Sequence, residues 1–115
     1  VSHPLILATP GMRDFAEAVD LECQLIVKKW GDQHHPLGTG SDLSKEIAQF
    51  SKLLCQEMAR KGKVTWRHIL TEEFREAMAA DNLRDLNEEL IQVAAVCFMI
   101  IRDLPRHTVV DHAGD

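Results

Sequence analysis

Glu72, Glu73 and Glu76 fall within little more than one helical turn, and Glu89 and Gln92 lie three apart a little further along. Residues three or four apart share a helix face, so Glu73 with Glu76, and Glu89 with Gln92, can each converge on one point. Ile69, set at zero, and Trp66, Leu70 and Ala77, at roughly 60–100°, mark an apolar sector; Glu73 falls inside it at about 40°, and Glu76 borders it at about 340°. With Leu86 at zero, Glu89 falls at about 300°, in line with Val96 and Ile100, and Asp85 and Gln92 flank it at about 240–260°. A carboxylate in an apolar stripe is costly unless it is paired or bound to a cation. Hard oxygen donors from two facing helices suit Mg2+ or Mn2+ rather than zinc. The competing reading is a solvated acidic face. Glu22 and Glu57 also border apolar stripes and are weaker candidates.

Four predicted helices position these groups, because apolar spacing is helical almost throughout and strand-like alternation is scarce. The first runs over about residues 12–29, with Thr9-Pro10 as cap and first-turn proline and a stripe of Phe15, Val19, Ile26 and Trp30. The second runs over about 42–61, capped by Asp42 and stopped at Gly62, with Leu43, Ile47, Phe50, Leu54 and Met58 as its stripe. The third starts after Thr65 and reaches about Ala80. The fourth starts near Asp81 or Asn82 and ends by Pro105, leaving 106–115 as a flexible end to match 1–10. The one long connection, residues 31–41, holds three Gly and one Pro, which excludes helix there. The expectation is a single all-α domain over residues 1–115, a four-helix bundle. A core this small favours completion by a second copy, as a homodimer or higher homo-oligomer.

Composition narrows the function classes. Thirteen Lys and Arg against eighteen Asp and Glu give a net charge of −5, which argues against nucleic acid as a partner. No apolar run has the length of a membrane span, and Val1 to Pro10 lacks the basic region of a signal peptide. Cys23, Cys55 and Cys97 are odd in number and widely spaced, which suits three reduced, buried thiols in a cytoplasmic protein. No phosphate-cradling GxxxxGK[ST] loop and no GxGxxG turn is present.

The run Glu72-Glu73-Phe74-Arg75-Glu76, followed after twelve residues by Glu89-Leu90-Ile91-Gln92, resembles the MazG-like all-α nucleotide pyrophosphohydrolases, whose pattern is EExxE, a spacer, then ExxD. Thr65-Trp66-Arg67-His68-Ile69-Leu70, the stretch from Glu88 to Val96, and Trp30-Gly31-Asp32-Gln33-His34-His35-Pro36 resemble an actinobacterial and phage-type branch of that group. The resemblance implies a Mg2+- (or Mn2+-) dependent enzyme converting a nucleoside triphosphate to the monophosphate and pyrophosphate. It implies Glu73, Glu76 and Glu89 as metal ligands and Glu72 beside Glu73 as a catalytic carboxylate. Gln92 stands where the pattern has Asp, so the fourth ligand is a neutral amide with one charge fewer and no capacity as a base. It further suggests Trp30, Phe50 or Trp66 as surfaces for the base, and His34 and His35 in a loop that caps the substrate. The alternative is a non-catalytic metal- and nucleotide-binding, or helical dimerisation, protein on the same scaffold.

Overall fold

A computed structural model describes residues 7–114, with side chains to residue 107. Among the described residues it is all-helical, with α1 over Met12–Trp30, α2 over Asp42–Arg60, α3 over Trp66–Ala79 and α4 over Leu83–Gly114. No helix among the described residues is long and apolar enough to cross a membrane. The chain divides into two units, Val1–Pro36 and Leu37–Asp115.

The first unit is α1 and its flanks. The helix begins two residues later than Thr9-Pro10 suggests. Gly11, at φ 85°, is its N-cap, and the Thr9 carbonyl accepts the Met12 N–H at 3.1 Å. The chain must pass through a left-handed residue before the helix, which glycine allows. Gly31 ends the helix and returns its N–H to the Val27 carbonyl at 2.8 Å. No residue of α1 is buried: Val19, Ile26 and Trp30 of the expected stripe are exposed, and Phe15 is half-buried.

In the second unit α3 is the central element, packed against both α2 and α4. Ser41, one residue before the expected Asp42, caps α2 by accepting the Ser44 N–H at 3.1 Å. Gly62 closes α2 as expected: its N–H reaches the Ala59 carbonyl, and the Lys63 N–H reaches Met58, the paired bonds of a Schellman ending. Thr65 and His68 form a reciprocal cap on α3. The Thr65 hydroxyl accepts the His68 N–H at 3.3 Å, and His68 Nδ1 accepts the Thr65 N–H at 3.0 Å. Asn82 starts α4 by accepting the Asp85 N–H on its side-chain oxygen at 2.9 Å. Gly40 (φ 89°) lies so close to the α3–α4 turn that a Cβ there would stand 2.8 Å from the Asp81 Cα.

The core pairs small residues of α2 and α3 with larger ones of α4. Ala48, Ser51 and Cys55 are the buried line of α2, Ala77 is fully buried on α3, and Leu86 and Phe98 are buried on α4. The expected α2 stripe is therefore misplaced by part of a turn, since Leu43, Phe50 and Leu54 remain exposed. Small residues let the helix axes approach, whereas the bulky stripe would hold them apart. The expected set of three buried thiols is corrected likewise: Cys55 is buried, Cys97 half-buried and Cys23 exposed, because α1 buries nothing.

Pro105 does not end α4, which continues to Gly114. A proline inside a helix removes one i→i−4 hydrogen bond and crowds the preceding turn. That turn is tied by side chains of α4 itself and by one from α3. Asp103 accepts the Trp66 indole N–H at 2.9 Å and the Arg106 guanidinium at 3.0 Å, and pairs with His107 Nε2 at 2.9 Å. These three partners hold the Asp103 carboxyl well below the usual carboxylate range.

Candidate metal centre

Successive turns of α3 bring Glu72, Glu73 and Glu76 together. One carboxylate oxygen from each lies within 4.8 Å of the others, and all three side chains are half-buried. The packing of α4 on α3 adds Glu89, whose charge acts on both Glu73 and Glu76. Glu73 Oε2 and Glu89 Oε2 are buried and have no hydrogen-bond partner. A buried carboxylate oxygen with nothing to accept from loses its hydration without compensation. Two such oxygens, one on each of two facing helices, fit a hard divalent cation.

The electrostatics agree. Glu76 is pushed up to about 7, first by burial and then by the negative charges of Glu73, Glu72 and Glu89. Glu73 is raised above the usual range by burial, then by Glu89 and Glu72. Beneath the cluster the Cys55 thiol is pushed up to about 11 by burial, by a hydrogen bond to Glu72 and by the surrounding carboxylates. It therefore stays protonated at neutral pH.

A cavity of about 440 Å³ opens from Glu76 and Glu89 toward α2. Lys45, Gln49 and Lys52 line its α2 side, with Asp81 and Asp85 at its far end. Lys45 is paired with Asp81 at 2.8 Å, which raises the lysine and lowers the aspartate. Lys52 has no ion pair among the described residues, so its ammonium is free for an anionic ligand brought to the carboxylates.

Of the site residues expected from sequence, Glu72, Glu73, Glu76 and Glu89 are gathered here. Gln92 is exposed on α4 and does not line the cavity. Trp66 lies at the other end of α3, its indole committed to Asp103. Trp30, His34 and His35 are exposed members of the first unit, where His34 Nε2 meets Asp32 at 3.1 Å. Sequence reasoning missed Cys55 as the floor of the cluster and Gln49 in its wall. The spacing of Lys45, Gln49 and Lys52, four then three residues apart, was the available signal for one polar α2 face. No protein-family model, no curated protein and no solved structure matches this chain.

Proposed function

We propose that this chain is a cytoplasmic, Mg2+-dependent nucleoside triphosphate pyrophosphohydrolase of the MazG-like kind, releasing the monophosphate and pyrophosphate. One observation carries the reading: buried, unpartnered carboxylate oxygens on Glu73 and Glu89, beside Glu72 and Glu76. Glu73, Glu76 and Glu89 would hold the cation. When bound, Mg2+ supplies charge neutralisation at phosphate oxygens and a lowered pKa for an attacking water.

The remaining work falls to the chain's own side chains. Glu72, next to the Cys55 thiol, orients the water and accepts its proton. Lys52, opposite Glu76 and Glu89 across the cavity, takes phosphate charge that the carboxylates alone would repel. A four-carboxylate cluster admits a polyphosphate only with a cation present, so the same charge that builds the centre makes its activity metal-dependent. The exposed Leu43 and Leu53 of α2 and Leu90 and Ile91 of α4 support a homodimer, in which a second copy covers apolar surface the small core leaves bare.

The test is pyrophosphate release across a panel of nucleoside and deoxynucleoside triphosphates, with Mg2+ or Mn2+ and with EDTA. Metal-stimulated release from at least one nucleotide, lost in Glu73→Ala, is the expected result. Silence across the panel with both metals ends the enzymatic reading.

A further inference from the structure

α3 carries a second chemistry on its other flank. Arg67, His68 and Arg75 line a cavity of about 600 Å³ together with Phe50 and Ser51 of α2, and no carboxylate lines it. The arginines there differ from their neighbours. Arg60 pairs with Glu57, Arg84 with Glu88 and Arg106 with Asp103, while Arg102 stands over the Phe98 ring at 5.5 Å. Arg67 and Arg75 have no acidic partner among the described residues, although the chain carries eighteen Asp and Glu.

Arg75 is half-buried and anchored: one terminal nitrogen donates to the buried Ser51 hydroxyl at 2.8 Å. That bond fixes the guanidinium plane and leaves the other N–H groups of the fork for an anion. His68 accepts the Thr65 N–H on Nδ1, which in the neutral ring places the proton on Nε2 and makes that nitrogen a donor. Phe50, 62 % exposed, offers a flat apolar face at the same cavity. A volume of this size suits a small molecule rather than a lone ion.

The geometry points to a binding site for a nucleoside monophosphate, or a similarly phosphorylated aromatic compound, with its phosphate on Arg67, Arg75 and His68 and its ring against Phe50. This site shares no lining residue with the acidic cavity and does not rest on the hydrolase reading.

The experiment is calorimetric titration of the full chain in EDTA with AMP, adenosine and inorganic phosphate, which silences the acidic cluster. AMP binds, and adenosine and inorganic phosphate bind at least about tenfold more weakly, each lacking one half of the ligand. Arg67→Gln and Arg75→Gln each weaken AMP at least about tenfold, the scale of a lost charge-assisted contact. Phe50→Ala weakens AMP and leaves inorganic phosphate unchanged, and Glu73→Gln leaves AMP binding in EDTA unchanged. Arg67 is exposed, so its variant folds even if loss of the Arg75–Ser51 bond disturbs packing. No AMP binding in EDTA, or binding indifferent to Arg67→Gln, overturns the site. Adenosine binding as tightly as AMP overturns the anion role, and inorganic phosphate binding as tightly overturns the ring's.

Discussion

One helix faces two ways. On one flank of α3, Glu72, Glu73 and Glu76 meet Glu89 of α4; on the other, Arg67, His68 and Arg75 meet Phe50 and Ser51 of α2. By helical steps the two sets are centred about 130° apart, so the same backbone displays both. The difference lies in what satisfies each flank. The arginine flank is held by a hydrogen bond to a buried serine, and its remaining donors reach open space. The acidic flank holds like charges at close range over a protonated thiol, with two oxygens buried and unpartnered. An isolated guanidinium at a cavity edge is tolerable in water, whereas burial and clustered negative charge raise the proton affinity of Glu73 and Glu76. The acidic flank is therefore the strained half of the helix, and metal or protons relieve it.

The largest expected effect separates the flanks completely. Glu73→Ala removes one of the two unpartnered oxygens and should lower metal-stimulated pyrophosphate release by about 100-fold or more, the scale of losing several kcal/mol of transition-state stabilisation. The variant should still bind AMP in EDTA. If Glu73→Ala keeps most of the wild-type rate, the acidic cluster is not the reactive centre.

A smaller effect should strike both flanks together. Ala77 is fully buried on α3, where the helix meets its neighbours most closely. Ala77→Leu forces extra carbon into that contact, and overpacking of this kind costs about 1–3 kcal/mol. In a unit of this size each kcal/mol lowers the melting temperature by about 4–8 °C. Pushing α3 away from its neighbours should weaken AMP binding and metal-dependent activity in the same variant. Loss at one flank alone would show that α3 does not carry the two sites as one rigid element.

The acidic flank was legible in the sequence, and the arginine flank was not, for a physical reason. Glu73 in an apolar sector announces itself, because periodicity assigns it to the core and charge denies it that place. Arg67 and Arg75 carry no such contradiction, since surface arginines are ordinary. What distinguishes them is that they meet at one cavity with no carboxylate in its lining, a fact of tertiary structure. Helix ends set by a single residue type, such as Gly62 and Thr65, read correctly. Residue size was misread on α2, where Ala48, Ser51 and Cys55 are buried and the bulky Leu43 and Phe50 are not. Hydrophobicity ranks Leu and Phe above Ala and Ser, but close helix packing selects small side chains. Pro105 was misread because a local rule for helix breaking cannot see Trp66, 39 positions upstream, clasping Asp103 from another helix.

The smallest effect is a slope with pH that only the acidic flank should produce. Glu76 titrates at about 7 in the folded chain, whereas a glutamate in an unfolded chain titrates at about 4.3. Between those values the folded state holds the extra proton, so stability falls as pH rises from about 4.5 to 7 and levels off above that. Glu73, also raised, acts with the same sign. Asp103 acts oppositely but in a separate window: its folded pKa is depressed, so its contribution fades only as pH drops below about 4. In metal-free buffer, Glu76→Gln should flatten the slope and raise stability above pH 7 by about 1–2 kcal/mol, discounted for the solvent that reaches this half-buried group. Arg67→Gln should leave the slope as it is, because Arg67 lines the other cavity. Saturating Mg2+ should reverse the sign, since ligand carboxylates must lose their protons to bind it and stabilisation by the metal then grows with pH. Thermal melts of the wild type and both variants from pH 5 to 8 measure all three slopes. A wild-type slope that Glu76→Gln fails to flatten would place the proton elsewhere and remove the strain attributed to this flank.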